Sequence, residues 1–207
     1  MNAKALKEVV TSDDILLTLC RSVSEVLSNT TDSRIRHSGM VQRISQTKLK
    51  PDIGCFSVFD GGFSGLVVLN FTGEAAVEIY RKYMINMNFK ESELAYHHTS
   101  DDVSNVMGEL TNQIIGDFIS KIARELQTSI NQSQPKMLTI NKVLNIAIDA
   151  NLDHPVISRM AFMTEDNHTF YMEFSMNQSE FIRLDAGDMD EDYDPDSLLA
   201  KHGSRKS

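Results

Sequence analysis

The longest regular pattern in the sequence is an apolar stripe that runs from Val103 to Leu126. Its apolar residues recur at steps of three and four, which at about 100° per residue places them on one side of an α-helix. They are Val103, Val106, Met107, Leu110, Ile114, Phe118, Ile122 and Leu126. The pattern predicts a long amphipathic helix, beginning near Thr99 or Ser100 and ending at about Ile130, with the stripe facing the core.

The opposite side of this helix carries Asn105, Glu109, Asn112 and Gly116, which fall within roughly 60° of each other on the helical wheel. A solvated face could collect polar residues without any function. However, Asn is a weak helix former and a mid-helix Gly, such as Gly116 or Gly108, costs about 1 kcal/mol relative to Ala. We therefore expect an exposed binding face, on which the glycines allow a second helix to approach closely.

Two similar halves are expected along the chain, because helix, strand and hairpin occur in that order in residues 12–71 and again in residues 100–176. The first helix begins near Ser12, and a further helix spans Gly73–Met84. Strand-like segments lie at about Val41–Leu49, Ile53–Phe59, Phe63–Phe71, Met137–Ile148, Val156–Thr164 and Thr169–Met176. The predicted fold class is α+β, with a six-stranded, largely antiparallel sheet and the two long helices packed together on one face.

The long helix also carries a motif that resembles the CheC/CheX/FliY family of chemotaxis phosphatases. The family pattern is Asp or Ser, three residues, Glu, two residues, Asn, then 22 residues and Pro. Here the pattern is matched by Asn105, Glu109, Asn112 and Pro135, with 22 residues between the last two, and Asn105 stands where the family has Asp or Ser. The segment that begins at Gly62 and reads GFSGLVVLNFTGEAA is also similar to the family's strand leading into a helix.

The resemblance implies a fold with an internal pseudo-two-fold and a single active site of the CheX type. In the first helix Glu25 is followed by Asn29, so Asn comes one residue too late for a second motif. The implied activity is hydrolysis of the phospho-aspartate of a CheY-like response regulator. Asn112 would align the attacking water and Glu109 would dock against a Lys of the partner, which also supplies the Mg²⁺, so the protein needs no cofactor of its own.

The chemistry of the Asn112 and Glu109 side chains also limits the reactions that the protein could catalyse. An Asn amide has no proton equilibrium near neutral pH, so Asn112 cannot act as a general base, and Glu109 alone is not a hydrolase. A side chain that only orients water is useful where the bond is already labile and a metal is already present. The phospho-aspartate of a response regulator meets both conditions.

Charge and composition make several other partners improbable. Seven acidic residues lie between Asp185 and Asp196, so the rest of the chain carries a formal charge of about −2 out of −9. Since no basic stripe or long apolar run is visible, we expect neither a nucleic-acid nor a membrane partner, and we expect a cytoplasmic protein. Cys20 and Cys55 are expected to be buried thiols rather than metal ligands. The predicted organisation is a single domain over residues 1–184 and an acidic, disordered tail over residues 185–207.

Two other functions fit the same sequence. The chain could be a non-enzymatic module of this fold that binds a response regulator or joins a flagellar switch, or a scaffold unrelated to phosphotransfer. An exposed sheet edge could also pair two copies into a homodimer. Release of phosphate from a phosphorylated response regulator distinguishes the enzyme from the binding module.

Overall fold

A computed structural model describes residues 9–140, 142 and 144–182 of the chain. Its α-helices are α1 (Ser12–Thr31), α2 (Gly73–Asn86) and α3 (Asp101–Glu125), and a short 3-10 helix spans Glu91–Glu93. Its strands are β1 (Val9–Thr11), β2 (Arg36–His37), β3 (Gln42–Arg43), β4 (Thr47–Leu49), β5 (Ile53–Gly61), β6 (Gly65–Phe71), β7 (Ile130–Gln132), β8 (Lys136–Thr139), β9 (Ile146–Ile148), β10 (Pro155–Met163), β11 (Thr169–Asn177) and β12 (Glu180–Ile182).

The chain divides into two units. Residues 11–179 form the larger compact unit, which contains the three helices and the main sheet. The described residues of the smaller unit are 9–10 and 180–182, which lie in the paired strands β1 and β12. The predicted tail, residues 185–207, lies outside the described residues, and the domain boundary at residue 184 stays a prediction.

The helices begin at residues that cap them well. Thr11 caps α1, because its side chain accepts from the backbone N–H of Asp14 while the Asp14 carboxylate accepts from the N–H of Thr11. Ser100 caps α3 in a similar way, through the N–H of Asp102. The predicted end of α3 at about Ile130 is wrong: the helix ends at Glu125, Gln127 has a left-handed backbone with φ of 50°, and Ile130 already belongs to β7.

The predicted six-stranded antiparallel arrangement is confirmed, with each edge position filled by two short strands. The main sheet runs β2–β10–β11–β6–β5–β7, with β3 also paired to β10 and β8 also paired to β5. Thus β2 and β3 of the first half pair with β10 of the second half, and β7 and β8 of the second half pair with β5 of the first. This exchange is the internal pseudo-two-fold of the fold.

Two predicted strands are each divided between two sheets. The segment Val41–Leu49 supplies β3 to the main sheet and β4 to a separate two-stranded sheet, and Met137–Ile148 supplies β8 and β9 in the same manner. β4 and β9 pair with each other. The prediction failed because an apolar strand pattern indicates burial but does not identify the strand that will accept its hydrogen bonds.

Both faces of the main sheet are covered, which explains why every residue of β6 is buried. On one face α3 packs on α1 and on β5, where the Phe118 ring lies 5.7 Å from that of Phe59 and 6.1 Å from that of Phe174. On the other face Leu66 and Val68 pack with Leu49 of β4. The apolar stripe of α3 therefore faces the core as predicted. No helix in the described part of the chain is long and apolar enough to cross a membrane.

Candidate functional site

The motif residues of α3 form an exposed polar row, defined here as Asn105, Glu109 and Asn112. All three are exposed, whereas Leu110 and Ile114 on the other side of the helix are 1% and 0% exposed. This confirms the exposure predicted from the helical wheel. The row is part of a continuous helix anchored by its apolar stripe, so its side chains project from a rigid element toward solvent.

The glycines beside the polar row face open space. A Cβ built on Gly108 or on Gly116 would meet no described atom within 4 Å. The expectation that these glycines admit a second helix is therefore wrong within the described chain, because α1 and α2 approach α3 from other directions. What the two glycines provide is a shallow, side-chain-free surface beside Asn112, at a cost in helix stability.

Two glutamines contact the polar row. Gln113 Nε2 donates to Glu109 Oε1 at 3.0 Å, one helical turn away. Gln132 Nε2 donates to Asn112 Oδ1, also at 3.0 Å, and comes from β7 rather than from the helix. The second bond engages the carbonyl oxygen of the Asn112 amide, whose NH₂ group makes no hydrogen bond to any described residue.

The position of Gln132 follows from the sheet. β7 pairs with the end of β5, where Gln132 lies opposite Phe59, and the next residue, Ser133, donates its backbone N–H to Val58 O at 2.8 Å. Pro135 lies half-buried in the link between β7 and β8. No hydrogen bond in the described part joins Pro135 to the polar row, so the proline belongs to the segment that carries Gln132 and not to the row itself.

A groove next to the row was not expected from the sequence. It has a volume of about 350 Å³ and is called the α2–α3 groove; its lining residues are Tyr80, Met84, Phe89, Glu93, Leu94, Asp102, Asn105 and Val106. Phe89, which follows α2, is 49% exposed. Ile85 and Met87, just before it in the chain, are also 46% and 55% exposed, and several exposed apolar side chains in one segment are typical of a contact surface. No periodicity in the sequence indicates that the segment after α2 would lie beside α3.

The two cysteines are buried and do not support nucleophilic chemistry. Burial raises the pKa of Cys55 to about 12, although a hydrogen bond with Thr111 of α3 acts in the opposite direction. Burial likewise raises the pKa of Cys20 to about 12. Both thiols are therefore protonated at neutral pH, which confirms their reading as buried thiols. Among the described residues no group of three or more His, Cys, Asp or Glu side chains could hold a metal ion.

A second polar constellation surrounds the buried carboxylate of Glu78 in α2, at a cavity of about 600 Å³. Its Oε2 accepts from Thr164 and contacts His168 Nδ1 at 2.8 Å, and its Oε1 accepts from Lys82 at 2.9 Å. Burial acts to raise the pKa of Glu78, but these bonds together lower it below its usual value. The constellation joins α2 to the β10–β11 turn, which identifies it as a structural tie.

One protein family matches almost the whole sequence. Residues 6–207 match the family described as Protein of unknown function, DUF3334. A comparison with curated proteins found no match to the sequence. The match extends through both halves of the fold and through α3, so the polar row lies inside the region that defines the family.

Solved structures match the fold. Chemotaxis protein CheX from Desulfovibrio desulfuricans is 16% identical, with 79% of this chain and 99% of that chain covered and a TM-score of 0.64. A CheC-like superfamily protein from a Shewanella species is 16% identical over 86% of this chain and 99% of that chain, with a TM-score of 0.61. CheX in the CheX–CheY–BeF₃–Mg²⁺ complex from Borrelia burgdorferi is 12% identical over 80% and 99% of the chains, with a TM-score of 0.59. At these identities the likeness shows the fold alone. The chain therefore belongs to the DUF3334 family, and its fold is that of the CheC/CheX/FliY proteins.

Proposed function

We propose that this protein accelerates hydrolysis of the phospho-aspartate of a CheY-like response regulator, and that Asn112 and Glu109 carry the activity. The observation that supports the proposal most directly is the exposed Asn112 amide, one turn from the Glu109 carboxylate and held by Gln132 at 3.0 Å. That a protein of the same fold is found in a complex with CheY supports the choice of partner.

In the proposed reaction the regulator supplies the reactive bond, the Mg²⁺ and a Lys. Asn112 enters the regulator's site and its amide aligns a water molecule opposite the aspartyl leaving group. The water oxygen bonds to phosphorus, the bond from phosphorus to the aspartyl carboxylate breaks, and both protons of the water leave with the phosphate product as H₂PO₄⁻. Aligning one water can accelerate such a step on the order of 10²-fold.

The rest of the surface would dock the regulator. Glu109 pairs with the regulator's Lys, as the family motif implies, and the α2–α3 groove receives an apolar side chain near Asn105. Asp101 and Asp102 in the first turn of α3 add to the negative charge of this face, which favours a partner with basic residues around its active site. No residue of this chain is required to titrate near neutral pH.

A binding module without catalysis is the second candidate. The observation that favours it is Asn105, which places a neutral amide where the related motif has Asp or Ser, beside a groove suited to contact. In that case Glu109 and the groove would bind the regulator and Asn112 would align no water. The partner is the same, but the phosphorylated state would be bound and not hydrolysed.

The two candidates are separated by one experiment. Regulators are phosphorylated with a small phosphodonor, the donor is removed, and phosphate release is followed with and without the protein, while binding is measured in parallel. The proposal predicts faster phosphate release from at least one regulator. Binding without faster release would replace the phosphatase with the binding module, and neither binding nor release from any regulator would reject both.

A further inference from the structure

Four basic side chains line a concave surface to which α3 and its polar row contribute no residue. They are Arg43, Lys48, Lys50 and Arg159, and the surface also includes Gln42, Ile44, Ser45, Gln46 and Asn145. The concavity has a volume of about 710 Å³. No acidic residue lies among its lining residues in the described part of the chain, and Ile44 is the one apolar side chain among them. We call this surface the basic concavity.

The basic concavity is built where the two sheets meet. Arg159 of β10 lies opposite Gln42 of β3, and Arg43 lies opposite Ser158. Lys48 is in β4, which pairs with β9 in the small sheet. The short segment between β3 and β4, which also lines the cavity, connects the two sheets and brings their cations to one place. Strands fix the backbone of Arg43, Lys48 and Arg159, and Lys50, which directly follows β4, donates its backbone N–H to Asn70 Oδ1 at 2.7 Å.

A fully buried carboxylate organises the cations. Glu173 of β11 is 0% exposed; its Oε1 accepts from Arg159 at 2.7 and 3.0 Å and lies 3.6 Å from Lys50 Nζ. Its Oε2 accepts from the backbone N–H of Lys48 at 2.7 Å. One carboxylate thus holds the guanidinium of Arg159 and the backbone of β4 in fixed positions. Burying a carboxylate is costly, and these partners offset that cost.

The charges do not cancel at this surface. Glu173 neutralises one cation and Asp13, which pairs with Arg43, neutralises a second. An excess of two positive charges is left at a concave, polar surface, in a chain whose formal net charge is −9. Lys48 makes no ion pair with any described residue, so its ammonium is available to a ligand.

We propose that the basic concavity binds a small polyphosphate, either free or as the phosphate groups of an organic molecule. Arg and Lys beside carboxamide and hydroxyl donors are the groups that bind phosphate oxygens, and the excess of two cations suits a ligand with at least two negative charges. The volume falls within the range of small-molecule sites. The lining residues that the structure describes include no aromatic ring, so recognition depends on charge and hydrogen bonds rather than on stacking. The proposal does not depend on the proposed function.

Calorimetric titration of the full chain tests this site at about 0.15 M salt, where exposed charge pairs are largely screened. The probes are triphosphate and adenosine triphosphate, with citrate as a multivalent anion whose charges are carboxylates rather than phosphates. We expect saturable binding of triphosphate at one site per chain, at least tenfold tighter than citrate. Tighter binding of adenosine triphosphate than of triphosphate would identify an organic ligand, and equal binding would identify the phosphate chain as the whole ligand.

Lys48→Gln is the test variant, because it removes an unpaired charge from the cavity and leaves the Glu173 network intact. Lys90→Gln, an exposed lysine on another part of the surface, removes the same charge and serves as the control. We expect about tenfold weaker triphosphate binding for Lys48→Gln and unchanged binding for Lys90→Gln. Absence of saturable binding, binding of citrate as tight as triphosphate, or equal weakening by both variants would overturn the proposal.

Discussion

Gln132 Nε2 donates a hydrogen bond of 3.0 Å to Asn112 Oδ1, and so connects the end of β7 to the exposed face of α3. The bond restricts rotation of an amide that would otherwise be free at the surface. It also determines which end of the amide faces outward. In the proposed reaction the NH₂ group of Asn112 is then the end that meets the attacking water or the phosphoryl oxygens.

Gln132→Ala should therefore reduce catalysis without reducing stability. Both side chains are exposed, so the hydrogen bond adds little to the free energy of unfolding, but its loss lets the Asn112 amide rotate. We expect phosphate release at a saturating regulator concentration to fall about three- to tenfold, with little change in KM. Gln113→Ala, which removes the bond to Glu109, is the matched comparison, and a fall in rate as large as that of Gln132→Ala would argue against a specific positioning role.

Gly116→Ala should stabilise the free protein. A methyl group at this helical position meets open space, and Ala is favoured over Gly in a helix by about 1 kcal/mol. Denaturant unfolding should show a gain of that size. Gly65→Ala is the contrasting variant, because its Cβ would lie 2.8 Å from the backbone oxygen of Ser175, and this variant should be less stable than the parent. If Gly116→Ala also lowers stability, the surface beside Asn112 is not open as described.

Gly116→Ala has a second expected effect under the proposed function. The added methyl lies beside Asn112 on the face that would contact the regulator, so regulator binding should weaken while the protein becomes more stable. A gain in stability with unchanged binding would place the interface on another part of α3.

Glu78→Gln should change how stability depends on pH. The pKa of Glu78 is lowered in the folded protein from its usual 4.5, so the ionised carboxylate stabilises the fold above pH 4.5 and loses that contribution as the pH falls through the folded pKa. Near neutral pH we expect the variant to be less stable by about 2 kcal/mol, because Lys82 and His168 lose an ionised partner.

Denaturant unfolding of the parent protein and of Glu78→Gln between about pH 3 and pH 7 tests this dependence. The difference in unfolding free energy should be largest near neutral pH and should shrink below pH 4.5. A difference that stays constant across this range would mean that ionised Glu78 does not stabilise the fold.

The sequence predicted the parts of the fold that depend on periodicity. The stripe of α3, the two hairpins and the order of the two halves follow from local patterns, and all are confirmed. What could not be predicted is pairing between distant strands. β3 and β4 are a few residues apart yet belong to different sheets, and their partners β10 and β9 lie about a hundred residues further along the chain.

The same limit applies to the sites. Asn105, Glu109 and Asn112 share one helix, so their common face could be read directly from the sequence. Gln132 reaches Asn112 only because β7 pairs with the end of β5, and Phe89 reaches the α2–α3 groove only through the path of the chain after α2. The basic concavity was missed for the same reason, since Lys48 and Arg159 are brought together by strand pairing.

Glu109→Ala should weaken binding more than it slows the bound reaction, because the carboxylate is proposed to dock against a Lys of the regulator. We expect a higher KM with a smaller change in the rate at saturation. The double variant of Glu109 and Asn112 should lose less than the sum of the two single effects in free energy if both residues serve one step. Fully additive losses would assign the two side chains to independent roles.

The most direct measurement is phosphate release from a phosphorylated response regulator in the presence of Asn112→Ala. Because the residue is exposed and Ala is the better helix former, the variant should be as stable as the parent or slightly more stable. Ser120→Ala, an exposed change on the same helix, serves as the control. The account predicts that Asn112→Ala still binds the regulator, but that the regulator releases phosphate about 10²-fold more slowly than with the parent protein. With Ser120→Ala the release rate should equal that with the parent. Release by Asn112→Ala at the parent rate would contradict the phosphatase assignment.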